Sequence, residues 1–237
     1  MMVLAVVHGA DAADLKINPP SMDQGEFDLE DNSIVVLDRG RSDESQQTHF
    51  GELGYGVTDY WWTELEGHWE SGGDGLRFRT VDFENAFRLI RQGDFWPETA
   101  LFLEYDQATK AHSADSATVA GLFRRDIGPS STTLNILFDH DIGSAAQAGT
   151  RLRYVGISTW QVAREVAPGI EFFGVPGRLS GLGHVSAQDH RLGPVFTGAI
   201  EIEGAGEVGY AVGYLFGLTP AAPAGTLVWR LEYDFRF

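Results

Sequence analysis

The sequence contains no cysteine. That excludes a disulfide framework and any thiolate metal site, and it suits an oxidising compartment where stray thiols are a liability. No apolar run is long enough for a transmembrane helix, although strands that hide their hydrophobicity in alternation remain open. Positive charge is scarce as well: 17 basic residues stand against 34 acidic ones, a formal net charge of −17. Phosphates are repelled by such a chain, so nucleic acid and anionic membrane surfaces are disfavoured as partners. The N-terminus lacks a positively charged leader. Met1 to Val7 is nevertheless a short apolar run, and Ala10-Asp11-Ala12 offers the small residues a signal peptidase accepts. Residues 1–12 therefore read as a signal peptide truncated at its start, with a short buried strand or a loose tail as the alternative. Residues 13–24 then form an N-terminal periplasmic segment, and 25–237 the folded unit.

What the chain does have is glycine, 29 residues, and aromatic side chains, 12% of the total. Both suit twisted strands with close backbone contacts and interfacial girdles. The clearest pattern closes the sequence. Leu227, Trp229, Leu231, Tyr233, Phe235 and Phe237 share one parity, while Val228, Arg230, Glu232, Asp234 and Arg236 share the other. A helix would smear both sets around its circumference, so this is a strand. The same alternation recurs at Val208 to Phe216, Leu134 to Asp139, Leu101 to Asp106 and Trp61 to Glu70. Turn signals such as Gly72-Gly73-Asp74-Gly75, Gly128-Pro129-Ser130 and Gly204-Ala205-Gly206 separate the runs.

Strands are predicted over 25–38, 47–57, 60–71, 76–90, 98–107, 116–126, 132–141, 149–159, 168–174, 190–202, 207–218 and 226–237. The sixth is weakly patterned. In the fourth, Leu76 and Phe78 share one parity and Val81, Phe83 and Phe87 the other, which predicts a β-bulge near Thr80. The fold class is thus all-β: a transmembrane antiparallel up-and-down β-barrel of about 12 strands. The longest connection, 175–189, falls on the side away from the termini.

The alternative is a soluble sandwich, and the polar face discriminates. It carries carboxylates and arginines with very few lysines, as a narrow lumen selects, because forked guanidinium–carboxylate bonds satisfy charges that see little bulk water. The candidate pore-lining residues are Glu64, Glu66, His68, Glu104, Asp139, Arg151, Arg153, Glu171, Arg230 and Glu232. The closing alternation of Trp229, Leu231, Tyr233, Phe235 and Phe237 resembles the C-terminal signal read by the barrel-assembly machinery. Outer-membrane lipids and that machinery are the expected partners, with a small-molecule solute.

Phe50 to Glu66, "FGELGYGVTDYWWTELE", resembles a motif of proteobacterial outer-membrane proteins, the family labelled as phenol-degradation meta-pathway barrels. "HRLGPVFTGAIEI", "YLFGLT" and "LEYDF" extend the resemblance over most of the chain after Gly25. It implies an outer-membrane barrel of a Gram-negative bacterium and uptake of small hydrophobic or aromatic compounds. It supplies no catalytic or ligand residue.

Chemistry is hard to find. Glu64, Glu66, His68 and Glu70 share one face of one strand at a spacing of about 7 Å, which diverges along the strand instead of converging on an ion. They read as lumen residues neutralised by arginines of neighbouring strands. A barrel hydrolase would need Ser and His together on the outer wall. His184 and Ser186 sit two apart in a loop, and His140 and Asp141 point to opposite faces. Gly54-Tyr55-Gly56 precedes no helix, so it cradles no phosphate. No catalytic residue, metal or cofactor is expected. The sequence reads as an outer-membrane channel or transporter for small molecules, with a closed structural or adhesion barrel as the alternative and a hydrolase behind both.

Overall fold

The computed structural model describes residues 15–37, 46–72, 75–110 and 113–236. The proposed signal peptide and Phe237 lie outside them. Twelve strands follow in order: β1 (Phe27–Leu37), β2 (Gln46–Thr58), β3 (Trp61–Gly72), β4 (Gly75–Ile90), β5 (Glu98–Ala108), β6 (Asp115–Ile127), β7 (Ser130–Ile142), β8 (Arg151–Trp160), β9 (Ala167–Arg178), β10 (Asp189–Ile202), β11 (Gly206–Gly217) and β12 (Gly225–Phe235). Each pairs antiparallel with its sequence neighbours, and β1 pairs with β12, so the sheet closes on itself. The closing seam is regular from Phe27↔Phe235 to Leu37↔Gly225. Closure leaves no unpaired edge, which is what an apolar surround demands of backbone N–H and C=O groups.

Both described ends of the chain sit at one mouth, here the terminal mouth. Its tight turns are 59–60, 128–129 and 203–205. Gly128 (φ 58°) and Gly204 (φ 72°) supply the left-handed backbone that two of these need. The far mouth carries the longest connection, 179–188. That segment is shorter than the sequence pattern suggested, because β9 runs on to Arg178. Leu152↔Gly177 and Tyr154↔Gly174 bracket a register shift there, with Val175 and Pro176 bulged out. Proline cannot donate to the ladder, and a bulge is where a strand tolerates it. The expected bulge near Thr80 is present: His68 pairs with Thr80 and Trp69 with Phe78, leaving Arg79 as the extra residue.

Period-2 alternation separates the two faces of the wall. Leu65, Phe83, Phe196 and Leu231 point outward and stay 49%, 54%, 56% and 53% exposed. The inward face is not uniformly charged, and here it departs from the expected polar lining. Ile34, Phe50, Phe102, Leu122, Phe173 and Leu215 pack inside the barrel with Leu15, which precedes β1. These apolar inward residues interrupt the alternation of charge along each strand without altering its parity.

Close approach fixes one inward glycine. A Cβ on Gly193 would fall 1.8 Å from the Tyr214 carbonyl oxygen on β11. Gly193→Ala is expected to force β10 and β11 apart, at a cost of about 1–3 kcal/mol or more. Heat-modifiability on a denaturing gel should show the folded band melting at lower temperature; an unchanged melting point would mean the β10–β11 pair absorbs the methyl group.

Candidate functional site

The register arranges the inward carboxylates in two ladders that run around the wall. Glu232, Glu30, Glu52, Glu66, Asp82 and Asp106 are successive partners on β12, β1, β2, β3, β4 and β5. One inward step toward the terminal mouth, Asp234, Asp28, Gly54, Glu64, Glu84 and Glu104 repeat the pattern on the same strands. Half of the lumen is therefore a carboxylate wall. Like charges on directly opposed positions are destabilising, so a cation has to come from elsewhere.

It comes from the segment before β1. Sequence patterning placed 13–24 outside the barrel as a periplasmic lead-in; in the structure, Leu15 to Asn18 lie inside it. Lys16 is 6% exposed. Its Nζ reaches Glu52 Oε2 at 2.7 Å, Glu84 Oε2 at 3.0 Å and Glu66 Oε2 at 3.2 Å, and it also bonds Glu64 Oε1. The neutralising group for Glu64 and Glu66 is thus this lysine, not an arginine of an adjacent strand as the sequence suggested. Two more contacts hold this strap. Arg230 Nη2 donates to the Leu15 carbonyl at 3.0 Å. Asn18 and Asn135 exchange bonds, N–H to Oδ1 at 2.7 Å and Nδ2 to the Asn18 carbonyl at 2.9 Å.

The last two glycines of "GELGYG", Gly54 and Gly56, make room for the strap. A Cβ on Gly56 would sit 1.9 Å from the Asp23 carbonyl, and one on Gly54 would sit 2.9 Å from Met22 Cε. Gly25 and Gly56 are joined by an N–H···O bond of 2.7 Å. Between strap and wall, at the terminal mouth, lies a cavity of ≈ 690 Å³ lined in part by Asp28, Glu30, Glu64, Arg230, Glu232 and Asp234.

Across the lumen the pairing is arginine to carboxylate. Arg153 grips Asp139 in a fork, Nε–Oδ2 2.7 Å and Nη2–Oδ1 3.0 Å. Arg151 adds a bond to the same Asp139 at 3.2 Å. Arg230 forks onto Glu171 at 2.6 and 3.0 Å, and Arg191 onto Asp189. Glu104 and Glu232 face inward on the ladders. His68 stacks on Phe50 with ring centroids 4.6 Å apart, and Glu70 pairs with Arg79 at 2.6 Å. Trp229, Leu231, Tyr233 and Phe235 alternate on the outer face of β12. Sequence reasoning missed Lys16 and Glu52, and it placed Glu84 on the polar face without counting it among the pore-lining residues. One signal was available: Lys16 and Lys110 are the only lysines in the sequence, and one of them stands just before the barrel.

The outer wall holds the Ser–His proximity that a barrel hydrolase would need, on residues the sequence did not single out. Ser33 Oγ lies 2.8 Å from His49 Nδ1 and donates to Asp31 Oδ1 at 2.9 Å. The carboxylate grips the serine, so the imidazole must donate to Ser33 Oγ, the reverse of what activates a nucleophile. Ser33 is also only 1% exposed. His184 Nδ1 meets Ser186 Oγ at 2.8 Å and caps the Ser186 N–H at 3.2 Å, closing the 3-10 turn Val185–Ala187. That pair is local turn geometry.

Comparison by sequence with family models and with curated proteins gives no match. Comparison with solved structures shows the fold. The COG4313 outer membrane channel from Pseudomonas putida F1 aligns with TM-score 0.58 at 12% identity, over 96% of this chain and 100% of that one. The translocator domain of autotransporter NalP from Neisseria meningitidis aligns with TM-score 0.55 at 10% identity, over 90% and 88%.

Removing the ammonium tests its role. Lys16→Met leaves the four glutamates crowded and unpaired by Lys16, a loss of about 3–5 kcal/mol by analogy with other broken buried pairs. Urea unfolding followed by tryptophan fluorescence should show a lower midpoint, and adding Glu64→Gln should restore part of it. A midpoint equal to the parent protein's would show that Lys16 is no net anchor.

Proposed function

We propose that this chain is an outer-membrane channel for small solutes whose lumen is narrowed by its own N-terminal strap. One observation carries the reading: a closed wall, apolar outside, whose inside presents two carboxylate ladders opening onto the ≈ 690 Å³ cavity. An apolar exterior on a sealed barrel suits lipid, and a charged interior suits water and ions. Sharing a fold with an outer membrane channel is consistent with this reading. The outer face of β12 is the surface offered to outer-membrane lipids and, during biogenesis, to the barrel-assembly machinery. The resemblance within Phe50 to Glu66 implies hydrophobic or aromatic solutes; the ladders favour those among them that carry positive charge. The reversed polarity at Ser33 and His49 supports a non-enzymatic role.

A second reading has its own observation. Leu15 packs with Ile34, Phe50 and Phe173 inside the barrel, as a closed structural barrel would have it. Single-channel recording in planar bilayers separates the two. The channel reading expects small, cation-selective steps from the parent protein. Larger steps are expected from Gly56→Ala and from a variant lacking 15–18, both of which release the strap. Glu64→Gln with Glu66→Gln should lower cation selectivity. Silence from all of these proteins would leave the closed barrel standing.

Membrane residence has a separate test. Leu231 is outward and 53% exposed. Leu231→Arg should cost about 2–4 kcal/mol for folding into lipid vesicles if the residue sits near the bilayer midplane. Equal folding yields in vesicles for variant and parent would remove lipid from that face.

A further inference from the structure

The barrel closes along β1 and β12, and its inward carboxylates are directly opposed there: Asp28 faces Asp234 and Glu30 faces Glu232. Carboxylate oxygens of Asp28, Glu232 and Asp234 lie within 4.8 Å of one another. The cations nearby are engaged with other carboxylates. Lys16 is bound by Glu52, Glu64, Glu66 and Glu84, Arg230 by Glu171, Arg236 by Asp23 and Glu26, and Arg164 by Glu201 and Glu207. Among the described residues, no hydrogen bond or ion pair reaches the side chain of Asp28, Glu232 or Asp234.

Two further observations point to a ligand. Asp28 is only 4% exposed, and its Oδ1 is buried with no hydrogen-bond partner. A buried carboxylate oxygen with no protein partner is costly, and a bound cation offsets that cost. The neighbouring trio of Glu52, Glu64 and Glu66, with oxygens at the same spacing, is occupied by the Lys16 ammonium. The wall therefore already shows that three converging carboxylates take up a cation.

We propose that Asp28, Glu232 and Asp234 form a calcium site that staples the first strand to the last at the terminal mouth. The donors are all carboxylate oxygens, the preference of a hard cation, and Ca–O bonds of about 2.3–2.6 Å span oxygens at this separation. Magnesium demands shorter bonds and near-ideal octahedral geometry, which three side chains on two adjacent strands do not supply. Calcium tolerates irregular coordination, and waters from the cavity complete its shell. The ion offsets the repulsion across the seam, where strand pairing alone cannot.

Equilibrium dialysis of the purified full-length barrel with radioactive calcium, in detergent and at fixed ionic strength, tests this directly. One ion per chain is expected, together with a higher melting temperature in calcium than in chelator. Asp28→Asn with Asp234→Asn should weaken uptake at least about tenfold and abolish the calcium-dependent rise. In chelator it should melt at or above the parent protein, because the repulsion is gone. If that double variant does not fold, Glu232→Gln alone should weaken uptake in the same sense. No calcium uptake by the parent, full uptake by the seam variants, or uptake lost in Glu52→Gln while the seam variants keep it would each overturn the site. None of these readouts depends on conductance, so they stand apart from the channel reading.

Discussion

Charge on the inside of a wall with an apolar outside is the constraint on which the rest of this molecule depends. A strand gives alternate residues to opposite faces, so each polar side chain kept off the exterior is delivered to the lumen. Register then decides what those side chains meet. On β12 and β1 to β5 it sets carboxylate against carboxylate in two successive rows. On the opposite wall it sets Asp139 against Arg151, and arginine forks settle the account locally.

Lys16 joins the two halves of this picture. At an effective dielectric near 20, an ammonium–carboxylate contact at 3 Å is worth about 5 kcal/mol, and two carboxylates 4.8 Å apart repel by about 3.5 kcal/mol. The fourth glutamate thus adds one attraction and further repulsions from the other three. Desolvation of each ion takes several kcal/mol more. The strap is held by a near-balance of large terms, a suitable state for a segment that occupies a lumen without being part of its wall. Its other polar fixings are the Asn18–Asn135 exchange, neutral bonds of about a kcal/mol each, and the charge-assisted bond from Arg230 to the Leu15 carbonyl, worth about 1.5–3 kcal/mol. Leu15 adds apolar burial in the barrel core, with Ile17 and Met22 packed against it.

The strands were legible because their signal is local. Most of the twelve were marked by their own parity and turn residues, the sixth only weakly, and even the phase slip at Thr80 was visible in the spacing of Phe78 and Val81. β9 was cut short at Gly174 because Val175-Pro176-Gly177 reads as a turn; the structure makes it a bulge inside a strand that continues. The strap was not legible in the same way. Leu15, Lys16, Ile17 and Asn18 alternate, but they pair with no strand of the barrel wall, and their polar partners lie on five strands, β2, β3, β4, β7 and β12. Glu64 and Glu66 stood out together because they are two residues apart. Glu52 hid among glycines, and two of them, Gly54 and Gly56, are the berth of the strap. In sequence the stretch reads as a strand whose glycines are weighed only against phosphate binding, when the missing side chains at Gly54 and Gly56 are space reserved for another segment.

The choice of lysine over arginine inside follows from the same geometry. Arginine is a planar fork that matches one carboxylate with two parallel bonds, and Arg153, Arg230 and Arg191 do so at Asp139, Glu171 and Asp189. Four glutamates converging from β2, β3 and β4 offer no single plane to a fork. A compact ammonium with rotatable donors can be shared among them. It also needs to reach the centre of a wall whose own inward positions are already taken by acids, so it must arrive on a flexible stem from outside the sheet. The segment before β1 is a piece of chain whose origin at the terminal mouth brings it past Gly54 and Gly56 to that point. The excess acid of the ladders and the inward path of the N-terminal segment are therefore two halves of one arrangement.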